Sequence, residues 1–354
     1  MSSGRYSKRL SVAVLCAAMG MAAGAARAAV GWTLVDLGTL GGPESHAAAV
    51  SDSGLVAGCA DTPSAVHAFI WRDGAMQDLG TASDPAAGNS CALAVNNGGI
   101  VAGRSGSGEV VTWNGASVTH LGIRGDVGGI NDAGTVVGSY AQNGTTHAFM
   151  YRDGVITDLS DPAAPNAASA AKAINARGQV AGTSSGRAFL YDNGARRDLG
   201  TLGGNSSSGA GIDDGGAVVG MSFDATSQPR AFVFDGSMRA LDSAPSYSGA
   251  VAINNHGQVI GSGEGVYGWL VEDGQYTQLS KLPAVTSKGW THLEPTGIND
   301  RGWIVGTGTD PNGNLRGFLL IPDLVRATAL LLDSSTPSMT RPRGLPLALH
   351  ASSK

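Results

Sequence analysis

Short apolar runs alternate with polar turns that contain glycine along residues 32–323 of this chain. In residues 174–182, INARGQVAG, two apolar segments flank an Asn-x-x-Gly turn. Asn and Asp brace such turns through their side chains, and glycine supplies the left-handed backbone that closes them. Runs this short, without a helical period, predict an all-β chain of antiparallel strands.

This turn belongs to a motif, in general form apolar-Asx-x-x-Gly-x-Val-x-Gly, that recurs along the chain. The seven copies cover residues 50–58, 95–103, 130–138, 174–182, 212–220, 253–261 and 298–306. Their turn glycines are 35 to 45 residues apart, which is the period of propeller blades. An aromatic run and a second glycine turn follow the motif, as in residues 187–200, RAFLYDNGARRDLG. Each repeat therefore predicts four antiparallel strands.

The two ends of the repeat region predict how the sheets close. The seventh repeat stops after its third strand, at residues 316–323, whereas residues 32–38, WTLVDLG, form an isolated fourth strand. Pairing these segments would leave no exposed sheet edge. We therefore predict a seven-bladed β-propeller of four-stranded antiparallel blades, closed by an N-terminal strand that completes the last blade. The alternative, an open β-solenoid, leaves residues 32–38 unexplained.

Residues 1–28 have the pattern of a cleavable secretory signal peptide, with a basic start, an apolar run and small residues at Ala26 and Ala28. The apolar run is short for a membrane span, although an uncleaved anchor is the alternative. We predict a single repeat domain over residues 29–323, a disordered tail over residues 324–354 and no membrane span in the mature chain. The expected location is extracellular or periplasmic.

Charge and cysteine content narrow the partners. The leader carries four basic residues and no acidic one, so the formal net charge of −5 becomes −9 in the mature chain. An acidic chain suits neither nucleic acid nor anionic lipid, and we predict no nucleic-acid partner. Cys59 and Cys91 lie in consecutive repeats and can form a disulfide if their Cα atoms approach within about 7 Å; two free thiols are the alternative. The sequence nominates no metal site or cofactor.

Several short motifs resemble those of a known family. They are His-Ala-Phe at residues 67–69 and 147–149, INDAG at 130–134, and DLGTLGG at 36–42 and 198–204. These motifs resemble the HAF family of extracellular repeat proteins over nearly the whole repeat region. The resemblance implies bacterial export and a repeat architecture, and it identifies no catalytic residue or ligand. Some relatives end in a Pro-Glu-Pro sorting signal followed by an apolar helix, which this tail lacks.

A large residue with a polar tip precedes the third strand in every repeat. The seven are His67, Glu109, His147, Arg187, Arg230, Tyr267 and Arg316. They line a central channel or brace a neighbouring blade through hydrogen bonds to backbone carbonyls. Bracing is the preferred interpretation because buried polar groups need partners. A catalytic or metal-binding role would require these residues to converge on one point.

The connection between repeats six and seven, residues 281–295, is irregular, and loops often carry function. An exposed Trp290 beside His292 and Glu294 would form a ligand-binding site for a sugar or peptide, and a packed loop is the alternative.

No pair of facing carboxylates and no Gly-x-Ser-x-Gly elbow nominates catalysis. We therefore predict an exported, monomeric binding or interaction scaffold for an unidentified protein, peptide or glycan, and not an enzyme. One alternative is a structural, surface-displayed repeat protein without a small ligand. A second is a propeller-based glycan hydrolase or lyase. An aromatic patch on one face would favour glycan binding.

Overall fold

The computed structural model describes residues 31–82, 88–106 and 108–323. These residues form 27 β-strands, one 3₁₀ turn and one short α-helix, so the chain is all-β as predicted. The predicted signal peptide (1–28) and tail (324–354) lie outside the described residues.

The strands follow the sequence repeats, which we number 1 to 7. The N-terminal strand is β1 (Trp32–Asp36). Repeat 1 contains β2 (Ser45–Val50), β3 (Val56–Asp61), β4 (Val66–Arg72) and β5 (Ala75–Gly80). Repeats 2 and 3 contain β6 (Ser90–Val95), β7 (Val101–Ser105), β8 (Glu109–Asn114), β9 (Ser117–Ile130), β10 (Val136–Gln142), β11 (Thr145–Arg152) and β12 (Val155–Asp158).

Repeat 4 contains β13 (Ser169–Ile174), β14 (Val180–Ser184), β15 (Arg187–Asp192) and β16 (Ala195–Asp198). Repeat 5 contains β17 (Gly203–Ile212), β18 (Val218–Asp224), β19 (Pro229–Phe234) and β20 (Met238–Ala240). Repeat 6 contains β21 (Ser248–Ile253), β22 (Val259–Gly263), β23 (Val266–Glu272) and β24 (Gln275–Gln278). A 3₁₀ turn (Leu279–Lys281) and α1 (Pro283–Thr286) then precede repeat 7, with β25 (Thr291–Ile298), β26 (Ile304–Thr309) and β27 (Leu315–Pro322).

Most repeats form one antiparallel sheet in which each strand pairs with the next along the chain. Repeats 2 and 3 differ, because they form a single seven-stranded sheet, β6 to β12. The 14-residue strand β9 pairs with β8 through its first part and with β10 through residues 125–130. The turn glycines Gly99 and Gly134 are 35 residues apart, the shortest spacing in the chain, so no residues remain for a loop between the two repeats.

The sheet of repeat 7 contains the N-terminal strand. β1 pairs antiparallel with β27, from Trp32 opposite Pro322 to Asp36 opposite Phe318, and the sheet order is β1-β27-β26-β25. The predicted pairing of the orphan N-terminal strand with the last repeat is therefore present over Trp32–Asp36.

The last position of the first motif requires glycine for a steric reason that is the same in each repeat. In repeat 4, the pairing of β13 with β14 shifts between Ala171 and Ala173, so that Lys172 bulges out of the first strand. A Cβ atom on Gly182 would overlap the carbonyl oxygen of Ala170 and would lie 2.9 Å from the Phe189 ring. Only glycine fits between a bulged strand and an aromatic ring at this distance.

The core lies mainly between neighbouring sheets. At one position of the third strand, six of the seven repeats carry an aromatic residue, and each of these residues is fully buried. They are Phe69, Phe149, Phe189, Phe232, Trp269 and Phe318. Val56 and Phe69 of repeat 1 share one apolar cluster with Val305 and Leu319 of repeat 7, so the first and last repeats pack together. Burying such side chains is the main stabilising contribution to a fold of this kind.

A serine at the start of several first strands joins neighbouring repeats. Its hydroxyl accepts a hydrogen bond from a backbone N–H of the preceding third strand, as Ser90 does from Ala68 at 2.8 Å and Ser169 does from Ala148 at 2.9 Å. Ser45 accepts the equivalent bond from Gly317 of repeat 7 at 3.0 Å. These bonds fix the relative height of adjacent sheets.

Candidate ligand-binding site

The polar residues predicted to precede the third strands are part of those strands, as His67 is of β4 and Arg187 is of β15, and they lie beside the outermost strand of their own repeat. His67 Nδ1 lies 2.9 Å from a carboxylate oxygen of Asp78 in β5. Four further pairs have the same arrangement: Glu109 with His120, His147 with Asp158, Arg230 with Asp242, and Arg316 with Asp36 of β1. Arg187 is half-buried at the equivalent position of β15. In repeat 2 the histidine and the carboxylate exchange strands, with Glu109 on β8 and His120 on β9, and the pairing is kept.

The channel-lining interpretation of these seven residues is wrong. Two cavities, of about 260 and 240 Å³, are lined by residues of all seven first strands, and none of the seven residues contributes to either. The first strands are therefore innermost, and the third and fourth strands lie farther out. The bracing interpretation also changes, because the partner is mainly a carboxylate on the same repeat. Only Arg316, among the pairs described, also donates to a backbone carbonyl, that of Pro43.

Six Asp and Asn side chains form a set of hydrogen bonds around the cavity of about 260 Å³. We call them the Asx girdle: Asp52, Asn97, Asp132, Asp214, Asn255 and Asp300. Each accepts a hydrogen bond from a backbone N–H of the preceding repeat, as Asn97 Oδ1 does from Asp52 at 2.7 Å. Repeat 7 precedes repeat 1 in this order, because Asp300 N–H donates to Asp52 at 2.7 Å. The seventh position is Ala176, which has no acceptor.

The polar atoms of the girdle make hydrogen bonds with one another and with neighbouring backbone groups. Both carboxylate oxygens of all four aspartates accept hydrogen bonds from neighbouring amides. Within residues 31–82, 88–106 and 108–323, no group of three or more His, Cys, Asp and Glu side chains is arranged to hold a metal ion. The girdle is thus a set of braced turns around this cavity.

Cys59 and Cys91 form a disulfide between repeats 1 and 2, with their Cα atoms 4.7 Å apart. The bond joins β3 to β6, one strand from each of the two sheets. It therefore links one pair of repeats covalently.

Trp290 is buried, with 5% of its surface exposed, and it packs in the cluster that contains Leu282, Val285 and Leu293. The expectation of an exposed indole is wrong, because the insertion before repeat 7 folds as a 3₁₀ turn and α1 and covers this side chain. Lys288 fixes the insertion to the N-terminal strand, since its ammonium donates to the carbonyl oxygen of Leu34 at 2.7 Å.

A depression of about 410 Å³ lies where this insertion meets β23 and β24. We call it the Tyr267 depression. Its lining residues are Tyr267, Gln278, Ser280, Lys281, Thr286, Gly289, Trp290, Thr291 and His292. Trp290 and His292 of the predicted site thus reach one surface, whereas Glu294 is exposed on β25 outside the lining.

Tyr267 and His292 form the aromatic part of the depression. Their ring centroids are 4.4 Å apart and their planes are nearly perpendicular, at 87°. Edge-to-face contacts of this kind are favourable and hold both rings in one orientation. Tyr267 remains 44% exposed. The pair therefore presents an ordered aromatic surface to solvent, next to the hydroxyl, amide and ammonium groups of the other lining residues.

The backbone around this pair is unusual. His292 has a φ of 52°, in the left-handed region that residues other than glycine rarely adopt. It lies where the pairing of β25 with β26 shifts between Thr291 and Glu294. Gly268, next to Tyr267, also has a positive φ of 62°, and a Cβ atom there would overlap the carbonyl oxygen of Leu293. Repeats 6 and 7 thus approach each other more closely here than a side chain would allow.

A braced turn lies behind the depression. Gly289 of the lining faces Pro311 at 3.5 Å from its hypothetical Cβ, in the connection between β26 and β27. Burial acts against ionisation of Asp310 in this turn, but hydrogen bonds from the backbone and side chain of Asn314 and from the backbone of Asn312 hold the pKa of Asp310 below its usual value. The charged carboxylate therefore stabilises the turn at neutral pH.

Reasoning from the sequence missed Tyr267 as part of this surface and grouped it with the bracing residues. A signal was present: repeat 6 has Tyr-Gly-Trp where repeats 1 and 3 have His-Ala-Phe. In the described residues, no helix has the length and apolar character needed to cross a bilayer.

Comparison with known proteins identifies the fold. No protein-family model matches this chain. No curated protein matches it either. Among solved structures, it resembles "Oligogalacturonate lyase in complex with manganese", with a TM-score of 0.57 and 12% identity over 84% of this chain and 95% of that chain. A second is "YCF48 from Cyanidioschyzon merolae", with a TM-score of 0.49 and 12% identity over 81% of this chain and 98% of that chain.

The antiparallel four-stranded sheets and the likeness to the lyase structure define a protein of the β-propeller class. At 12% identity, the likeness concerns the fold alone.

Proposed function

We propose that this protein is an exported glycan-binding scaffold, built on a closed seven-bladed propeller, and that the Tyr267 depression holds the ligand. The observation that carries the proposal is the ordered, exposed aromatic pair of Tyr267 and His292 beside several hydrogen-bonding side chains. Sugars present apolar C–H faces and hydroxyl edges, which aromatic rings and polar groups respectively can bind.

Three contacts support a closed ring of seven blades. β1 pairs with β27, Asp300 N–H donates to Asp52, and the Asn299 amide donates to the carbonyl oxygen of Ser51 at 2.8 Å. The two hydrogen bonds are contacts that neighbouring repeats also make elsewhere, as in the bond from the Asn96 amide to the Asn131 carbonyl at 3.1 Å.

Export is the second part of the proposal. The composition of residues 1–28 supports it, as does the disulfide between Cys59 and Cys91, since disulfides persist in oxidising compartments. The resemblance to HAF-repeat proteins agrees with a location in the periplasm or outside the cell. The acidic mature chain, taken as a monomer, is compatible with neutral glycans.

We infer binding without catalysis at this depression. The lining residues include no carboxylate, whereas glycoside hydrolysis needs two carboxyl groups across the scissile bond. An exposed aromatic surface also distinguishes the proposal from a purely structural repeat protein, for which a smooth, repeat-symmetric surface is expected.

A glycan array probed with the mature chain, residues 29–354, tests the proposal. We expect saturable binding to at least one glycan, weakened roughly fivefold or more by Tyr267→Ala, since loss of one stacking contact removes about 1 kcal/mol or more. The matched control is Tyr276→Ala, because Tyr276 is 41% exposed in the same repeat and does not line the depression. Absence of binding across the array would favour a protein partner or the structural alternative. Turnover of a bound glycan, followed by chromatography, would favour the enzyme alternative.

A further inference from the structure

A further cavity, of about 480 Å³, lies between repeats 1 and 2, away from the Tyr267 depression. Strands β4 and β5 form one side, and the turn before β7 together with the end of β8 forms the other. Its apolar lining residues are Leu55, Ile70, Leu79, Val101 and Trp113. A concave, largely apolar volume of this size is typical of sites for small organic molecules.

At two other interfaces, a large side chain lies against the turn glycine of the following repeat. The Trp303 ring lies 3.1 Å from the hypothetical Cβ of Gly54, and the Arg152 guanidinium lies 3.1 Å from that of Gly178. At the interface between repeats 1 and 2, the equivalent turn glycine is Gly99, which faces the smaller side chain of Leu55 at 3.5 Å, and Gly115 has no neighbour within 4 Å. The cavity is therefore left open by small residues at this interface.

Arg72 lies at the mouth of the cavity and differs from its counterpart in repeat 3. There, the guanidinium of Arg152 donates to the Thr135 hydroxyl at 3.0 Å. Repeat 1 has Leu55 at the position of Thr135, and a leucine side chain offers no acceptor. The exposed Arg72 side chain makes no hydrogen bond or ion pair with the described residues. A guanidinium beside an apolar surface suits a carboxylate, which it can bind through two parallel hydrogen bonds.

Two further groups restrict the occupant. Asp73, in the turn after Arg72, also lines the cavity and disfavours a ligand with several negative charges. Trp113 lines the cavity and is buried, with 2% exposure, and its indole N–H has no hydrogen-bond partner among the described residues. An unpartnered buried donor favours a ligand that carries an acceptor.

We propose that the cavity between repeats 1 and 2 binds a small apolar monocarboxylate, with its apolar body against Ile70, Leu79 and Trp113 and its carboxylate at Arg72. This site is independent of the proposed glycan site, because the two share no residue.

Titration of the mature chain with naphthalene-2-carboxylate tests the proposal, followed by calorimetry and by indole fluorescence. We expect saturable binding that Arg72→Gln weakens at least tenfold, because the charge-assisted hydrogen bonds are lost. The matched control Arg152→Gln should leave the affinity unchanged, and the neutral naphthalene-2-carboxamide should bind wild type and Arg72→Gln equally.

A blocking variant separates this cavity from other surfaces. Gly98→Leu places a side chain in the open space and should abolish binding, while the thermal unfolding midpoint shows whether the variant is folded. No saturable binding of the carboxylate, equal binding by Arg72→Gln, or full binding by a folded Gly98→Leu variant would each overturn the proposal.

Discussion

The Asx girdle and the Tyr267 depression are both polar, concave surfaces, but they use their polar atoms differently. The girdle repeats one position in six of seven repeats, and its carboxylate oxygens all accept hydrogen bonds from neighbouring amides. In the depression, the Tyr267 hydroxyl and the Lys281 ammonium make no hydrogen bond with the described residues. Polar groups that satisfy one another stabilise the architecture, whereas exposed groups without partners in a depression remain available to a ligand.

Among the features that repeat along the chain, the glycine opposite the bulged first strand should be the most sensitive to substitution. Gly182→Ala should destabilise the protein by roughly 4 kcal/mol or prevent folding, because the new Cβ overlaps a backbone carbonyl and neither the bulged strand nor Phe189 can move away easily. Chemical denaturation measures the change. Gly98→Ala is the matched control, with about 0.5 kcal/mol or less expected, and a similar loss in both variants would contradict the steric explanation.

Removal of a buried amide next to the girdle should have the next largest effect. The Asn175 amide donates to the Asp213 carbonyl at 2.9 Å, and its oxygen accepts from the N–H of Gln179. Asn175→Ala should therefore lower the free energy of unfolding by about 2 kcal/mol, since buried partners are left unsatisfied. The exposed Asn312→Ala serves as the control. An unchanged denaturation midpoint for Asn175→Ala would show that these bonds do not stabilise the fold.

In the Tyr267 depression, which does not follow the repeat, a substitution should raise the stability of the protein. His292→Gly relieves the left-handed backbone at this position and should stabilise the protein by about 1 kcal/mol, while it removes one ring of the aromatic pair and weakens glycan binding. Thermal unfolding and the glycan array measure the two effects. Asn193→Gly is a suitable control, because asparagine tolerates its φ of 47° and little change is expected. Loss of both stability and binding would indicate that His292 has a structural role.

Completion of the girdle should have the smallest effect. Ala176→Asn supplies an acceptor for the Asp132 N–H without adding charge, and we expect a gain of about 0.5 kcal/mol. Denaturation curves of Ala176→Asn and of Ala176→Leu, which offers no acceptor, make the comparison. Equal stability of the two variants would count against a contribution of the girdle bonds.

The repeated features of this fold could be predicted from the sequence, because they depend on local chemistry. Asn-x-x-Gly turns and the aromatic third strands mark the strand boundaries, and the unpaired residues 32–38 indicate where the N-terminal strand lies. The partners of the polar residues at the start of the third strands, such as His67, could not be predicted from these local patterns. His67 pairs with Asp78 because the hairpin between β4 and β5 brings these positions side by side.

The candidate sites depend on contacts between repeats, which sequence patterns describe poorly. Trp290 is buried by an insertion whose packing against β1 involves a residue far away in the chain, Leu34. The cavity between repeats 1 and 2 exists because Gly98 has no side chain and Leu55 has a short one. Such a gap can be recognised only when the position of the neighbouring sheet is known. Departures from the repeat, such as Tyr267 and Gly268, were the available signal.

The pairing of β1 with β27 also sets an order of assembly. Trp32 lies opposite Pro322. The ribosome makes β1 first, but β1 can pair only after β27, the last strand, has been made. Contacts over such a distance form slowly, because the chain must close a very long loop first. Until then, the edge of β27 is unpaired and can recruit another chain. A circularly permuted gene that joins β27 directly to β1 would convert this late encounter into a local hairpin and should speed refolding.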